Sequence, residues 1–201
     1  MKVVHRNTVV HRNTTDKYQR IIEASSDLII EKGLQSAPMS VIAKHAGVAN
    51  GTLYTYFNSK QELIYVIYKR LLDGLSEAVA EAYQAELPVQ ERFAKLWSAI
   101  FDYFLKQPKQ AKLLLYLSTT PYITQKYKEE LGSKPFHFQG ELFREGINKH
   151  LIKDVNTMVA VWFLYGALLF LADKWPVNQK LKDNEETINQ VIQMCWDSIR
   201  R

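Results

Sequence analysis

IAKHAGVANGTLYTYFNSKQEL, residues 42–63, decides how this chain folds. Ile42, Ala43 and Ala46 are small or apolar at spacings of one, three and four, so they share one helix face. Gly47 stops that helix, because a residue without Cβ takes a positive φ at no steric cost. Val48 fills the turn, and helix resumes near Asn50 and runs to about Tyr56. In it Leu53 and Phe57, four apart, point inward, while Gly51, Thr52, Thr55 and Tyr56 lie mostly on the other side. That outer side offers hydroxyls and a close backbone approach with no fixed charge. Asn58-Ser59-Lys60 supplies a break, an N-cap and a cation at the start of the next helix. Two short helices joined by a Gly turn, the second polar, describe a helix-turn-helix whose second helix enters a major groove.

Residues 47–63, from Gly47-Val48-Ala49-Asn50-Gly51 through Tyr54-Thr55-Tyr56-Phe57 to Lys60 and Leu63, resemble the DNA-binding signature of the TetR family of bacterial transcriptional regulators. Residues 20–33, RIIEASSDLIIEKG, resemble that family's first helix, so the resemblance covers roughly residues 16–63. It implies an all-α protein: an N-terminal three-helix domain containing the helix-turn-helix, then a C-terminal helical domain for ligand binding and dimerisation. Carried over by position, Asn50, Gly51, Thr52 and Thr55 become base-contacting residues, since Asn pairs with adenine and Thr touches a thymine methyl. Tyr54, Tyr56 and Lys60 become phosphate contacts, which position rather than specify. The family usually has Thr or Ser just before the second helix, as cap and phosphate contact; this chain has Ser36-Ala37-Pro38, so Ser36 or Ser40 substitutes, with Ser40 as the expected phosphate contact. The expected function is that of a cytoplasmic, nucleoid-associated repressor. It binds a palindromic stretch of double-stranded DNA as a homodimer and is released by a small hydrophobic or amphipathic effector. No cofactor and no metal is implied.

The composition agrees with that reading. The chain has 201 residues, 47% hydrophobic and 23% charged, with a net charge of +5. Residues 1–60 hold eight Lys and Arg against four Asp and Glu, while residues 61–201 hold eighteen against seventeen. The excess sits with the helix-turn-helix, as a phosphate-binding surface requires, although a solvated basic end gives the same count. Cys195 is the one cysteine, which excludes an internal disulfide and a multi-cysteine metal site. The N-terminal residues are polar and lack the apolar core of a signal peptide. The most apolar stretch, residues 158–172, falls short of the about 20 residues a membrane span needs, so it is expected to be a buried helix and no membrane partner is expected. There is no Ser-His-Asp elbow, no HExxH and no phosphate-cradling Gly loop, which argues against an enzyme.

Along the chain, Val3-Val4-His5-Arg6-Asn7-Thr8 is repeated at once as Val9-Val10-His11-Arg12-Asn13-Thr14. Residues 1–15 read as a flexible arm, either a plain tail or one that places Arg6 or Arg12 in a minor groove. Residues 16–62 form the DNA-binding domain, its first helix spanning 16–32. Residues 63–201 form the effector and dimerisation domain. A long helix is expected over 59–86, spanning both. Further helices are expected over 89–106, 109–119, 122–131, 136–151, 156–175 and 184–200, with a turn at Gly132-Ser133-Lys134-Pro135. Pro and Gly fall mostly between these segments and no run alternates with period two, so the count is nine or ten helices and no sheet.

The C-terminal half is rich in aromatics. Trp97, Phe101, Phe104, Tyr116, Phe136, Phe138, Trp162, Phe163 and Tyr165 are either core or the lining of an effector pocket, with His137 as a polar anchor or a surface residue. Gly166 and Phe170 on one helix, and Val191, Cys195, Trp196 and Ile199 on the last, form stripes at helical spacing. These pack either inside the chain or against a second copy in a four-helix bundle. A DNA-binding protein whose C-terminal domain docks a protein partner instead of a small molecule is the alternative reading.

Overall fold

The computed structural model describes the backbone of residues 4–131, 136–174 and 184–201, and within them the side chains from residue 16 onward. The expected turn at Gly132-Ser133-Lys134-Pro135, Trp175 and the side chains of Arg6 and Arg12 lie outside the described residues. Among the described residues there are ten helices and no strand, as the sequence implies. They divide into two compact units.

The first unit comprises residues 1–69 and 115–127. It is built on α1 (Val4–Lys32), α2 (Met39–His45), α3 (Asn50–Tyr56) and the start of α4 (Lys60–Ala82). α1 buries Ile21, Ile22, Ser25, Leu28 and Ile29, the stripe its spacing prescribes. The Ser25 hydroxyl, fully buried, donates to the Ile21 carbonyl at 2.5 Å. Among the described residues the helix already runs from Val4, not from residue 16. No Pro or Gly occurs before Gly33, so nothing halts propagation back from the core-anchored turns. α2 stops at Gly47, whose φ is +64°, and the Val48 N–H returns to the Ala43 carbonyl at 3.0 Å. Ser59 caps α4: its Oγ accepts from the Glu62 N–H at 3.1 Å, while the Glu62 carboxylate accepts from the Asn58 N–H at 2.7 Å. This is a capping box displaced by one residue on its return side.

The second unit comprises residues 70–114 and 128–201, with α5 (Val89–Lys106) at its centre. Every third or fourth residue of α5 from Val89 to Phe104 is buried, and the helix packs on α8 (His137–Asn148), α9 (Thr157–Lys174) and α10 (Glu185–Ile199). α6 (Pro108–Ser118) and α7 (Gln125–Leu131) belong to it only in part, through residue 114 and from residue 128. α4 ends at Ala82, short of the expected residue 86, because a turn closed by the Leu87 N–H on the Gln84 carbonyl leads into Pro88, the N-cap of α5. Gly146 on α8 is required by contact: a Cβ there would lie 2.4 Å from Ile152 Cδ1. Arg92 of α5 is 5% exposed and is held by the Glu145 carboxylate and, at 3.2 Å, by the Tyr83 hydroxyl. Lys149 also donates to Glu145, at 2.7 Å.

α9 departs from expectation. Its apolar sequence predicts a buried helix, yet only Ala160, Val161, Leu164, Leu168 and Ala172 are buried. Trp162, Phe163 and Phe170 are each more than 60% exposed. Its mean hydropathy of 1.4 over 18 residues would suit a membrane span by composition alone. Its buried stripe is committed to the α5 and α8 core, which leaves the opposite stripe exposed.

Two tests follow from this packing. Gly47→Ala meets no atom within 4 Å, so its cost is the left-handed backbone alone; denaturant unfolding should show a loss of about 1–2 kcal/mol. Glu145 is held below the usual carboxylate range, chiefly by its hydrogen bond from Arg92, then by Lys149. A depressed folded pKa contributes stability that is present above the unfolded value and lost as pH falls through the folded one. Glu145→Gln should therefore melt below the parent at neutral pH, and the gap should close as pH drops below about 4.

Candidate nucleic-acid interface

α3 is two turns long, too short to stand as a helix in water without tertiary anchors. Leu53 is fully buried and Phe57 nearly so, and these two fix how the helix lies against α1 and α2. The opposite face carries Asn50, Gly51, Tyr54 and Thr55, all exposed, with Thr52 and Tyr56 half-buried at its edges. No charged residue lies within α3. An added Cβ at Gly51 would meet nothing within 4 Å, so the backbone there is open to close approach. The Thr55 hydroxyl donates to the Thr52 carbonyl at 2.6 Å. Its proton is thereby committed, leaving its methyl and lone pairs for a base edge. Lys44 and His45, at the end of α2, and Ser40, near its start, are exposed. This arrangement can place backbone and small polar groups against base edges, with cations at the flanks.

The phosphate-contact set is less uniform than the sequence implies. Tyr56 lies 6.1 Å from the ring of Tyr18, which itself stacks on Phe57 at 5.3 Å. Tyr18 was missed by sequence reading because it belongs to α1, far from the motif. Lys60 is half-buried: its Nζ donates to the Leu34 carbonyl and lies 5.7 Å from the Tyr122 ring centroid. Burial lowers its ammonium below the ordinary lysine range. Tyr116, grouped by sequence with the effector pocket, belongs to the first unit; its hydroxyl accepts from the Leu34 N–H at 3.5 Å. No helical periodicity in residues 115–127 could have revealed that placement, since the partners come from a distant stretch.

In the second unit the candidate pocket residues separate. Trp97, Phe101 and Phe104 are fully buried core. Phe138 is half-buried against Tyr83, ring centroids 4.4 Å apart. His137 is exposed, its Nε2 3.4 Å from Glu141. Trp162 and Phe163 stand on the exposed side of α9 with Gly166 and Phe170, not among the buried aromatics. Tyr165 is ringed by Trp97, Phe104 and Phe136 at 5.3–6.1 Å. Its hydroxyl accepts from Gln139 Nε2 at 2.9 Å, and burial pushes its phenol up. Gln139 Oε1 is buried and has no donor among the described residues. The final helix also corrects the sequence reading. Val191, Cys195, Trp196 and Ile199, expected at a dimer interface, are buried in the chain's own core, with Trp196 5.2 Å from Phe93. The stripe on α10 is taken up by α5, and its outer side presents Met194, 70% exposed. The buried Cys195 thiol is pushed up to about 11.

Comparison with known proteins agrees with this geometry. Residues 21–65 match the family model of bacterial regulatory proteins of the tetR family, and residues 68–201 match the tetracyclin repressor-like C-terminal domain. The fatty acid metabolism regulator protein of Bacillus subtilis is 27% identical over 189 residues, 91% of this chain and 95% of that protein. A crystal structure of a tetR family transcription regulator from Shewanella sp. PV-4 superposes with a TM-score of 0.83 at 19% identity, covering 92% of this chain and 98% of that one. The structure of FadR from Bacillus subtilis in complex with stearoyl-CoA superposes with a TM-score of 0.69 at 22% identity, covering 90% and 99%. With both halves matched and the exposed face of α3 in place, the chain belongs to the TetR family of bacterial transcriptional regulators and is a helix-turn-helix DNA-binding protein.

Proposed function

We propose that the protein is a ligand-responsive repressor, acting in the cytoplasm on the nucleoid. It binds a palindromic operator as a homodimer and leaves it when a long-chain acyl thioester binds the second unit. The reading rests above all on α3, whose exposed face is polar, uncharged and held from behind by Leu53 and Phe57. Asn50, Gly51, Thr52 and Thr55 read bases; Ser40, Tyr54, Tyr56 and Lys60 meet phosphates. Two such helices about 34 Å apart enter successive major grooves. The effector class is supported by the resemblance to the fatty acid metabolism regulator and by the stearoyl-CoA complex of FadR. The aromatic and aliphatic interior of the second unit suits an acyl chain, and Gln139 Oε1 supplies a buried acceptor for an amide N–H of the carrier. The effector shifts the equilibrium only insofar as it binds the DNA-free state more tightly.

The homodimer reading rests on the exposed α9 stripe of Val159, Trp162, Phe163, Gly166 and Phe170, too apolar to remain in water in a stable monomer. A protein-docking role for the same stripe is the second reading.

Selection from a random duplex pool should enrich one inverted repeat, and Asn50→Ala should weaken binding to it by about 1–3 kcal/mol. Binding without enrichment, lost steeply as salt rises, would mean that only the backbone is read. Stearoyl-CoA should raise the melting temperature and release the duplex, where coenzyme A alone does neither. Trp162→Asp should sediment as a helical monomer; a variant that remains dimeric would assign the α9 stripe to another protein.

A further inference from the structure

Leu34 lies in the loop between α1 and α2, and both of its backbone polar groups are held by distant side chains. Its N–H donates to the Tyr116 hydroxyl at 3.5 Å, and its carbonyl accepts from Lys60 Nζ. The same ammonium faces the Tyr122 ring, 5.7 Å from its centroid. One turn further along α4, Tyr65 stacks on Tyr127 with centroids 3.9 Å apart and 9° between the planes. Three tyrosines from residues 115–127 thus grip the α1–α2 loop and the first turns of α4. This segment clusters with the DNA-reading unit, although it falls within the stretch that matches the C-terminal family model.

The partners of Lys60 among the described residues are a neutral carbonyl and a neutral ring. An ammonium has three N–H donors. With one given to Leu34 and one side covered by Tyr122, a hydrogen remains for an anion. Burial already destabilises this cation, as its lowered pKa records. A phosphate offsets that desolvation, and the freedom a surface lysine would lose on binding is already spent.

The geometry points to Tyr122 as a positioning residue for DNA binding: its ring and the Leu34 carbonyl hold Lys60 Nζ in place to donate its remaining hydrogen to an operator phosphate. Tyr116 fixes Leu34 for that task. The inference rests on the reading of Lys60 as a phosphate contact. It makes residues 115–127 a part of the DNA-reading apparatus, so a displacement of that segment changes operator affinity through one phosphate.

The test measures binding of the full-length protein to its enriched duplex across a series of salt concentrations, for Lys60→Gln, Tyr122→Leu, Tyr122→Phe and the Lys60→Gln/Tyr122→Leu pair. Lys60→Gln should lower the slope of log affinity against log salt by about 0.9, the share of one phosphate. Tyr122→Leu should weaken binding by about threefold to tenfold, the size of a partly desolvated cation–π contact, and lower the slope. It should add nothing in the Lys60→Gln background, and Tyr122→Phe, which keeps the ring face, should bind as the parent does. An unchanged slope in Lys60→Gln would remove the phosphate contact itself and the positioning role with it. A lowered slope in Lys60→Gln beside a parental slope in Tyr122→Leu would overturn the positioning role alone, as would tighter binding by Tyr122→Leu or a full additive loss in the pair. Should Tyr122→Leu fail to fold, side-chain NMR of the parent decides: the ring-current shift of the Lys60 ammonium should persist when duplex is added, and its disappearance would refute the inference.

Discussion

The burial of Leu53 and Phe57 is the contact on which the DNA-reading surface depends. A helix of seven residues has too few internal hydrogen bonds to offset its nucleation cost, so α3 exists because two side chains on one face are taken out of water. The same two anchors fix its rotation about its own axis. A rotation of one residue, about 100°, would carry Asn50, Thr52 and Thr55 away from the surface and turn buried side chains toward it. The Gly47 turn sets where α3 begins, and the Ser59–Glu62 cap sets where the next helix takes over. The orientation of the polar face of α3 is therefore an outcome of apolar packing on its hidden side.

The second unit solves a different problem, that of packing many large rings around one helix. α5 presents Phe93, Trp97, Phe101 and Phe104 along a single stripe, and the surrounding helices answer with Phe143, Tyr165 and Trp196. Three polar residues lie within this unit's ring-rich interior or at its edge: Arg92, Gln139 and Tyr165. Arg92 is neutralised by Glu145, and Tyr165 is bonded to Gln139, so the charge and the phenol are satisfied. What remains exposed is aliphatic and aromatic surface on α9, which interior packing leaves over after α5 and α8 are served.

How much of this could be read from the chain follows from the range of each interaction. The helix-turn-helix was legible because its signals are local: Gly47 for the turn, Leu53 and Phe57 four apart, Ser59 for the cap. The bounds of α5 were legible because Pro88 and Pro108 bracket them. The start of α1 was misjudged because polarity suggested a tail, whereas no helix-breaking residue occurs there to make one. An apolar stripe specifies burial but not by whom, so the sequence left α10 open between the chain's own core and a second copy, and it overstated the burial of α9. Val191, Cys195, Trp196 and Ile199 are claimed by α5, while Trp162 and Phe163, which look equally suited to a core, face outward. The placement of Tyr116 and Tyr122 was invisible, since it depends on a chain reversal between stretches far apart in sequence.

The burial of Cys195 has a practical side. With its thiol buried and pushed up to about 11, Cys195 carries far less thiolate near neutral pH than an exposed cysteine does. The natural chain is thus already a nearly silent background for thiol chemistry. A single cysteine placed on an exposed position of α2 or α3 would take up a fluorophore or spin label first, so the surroundings of that face, with and without DNA, can be followed without removing a native side chain.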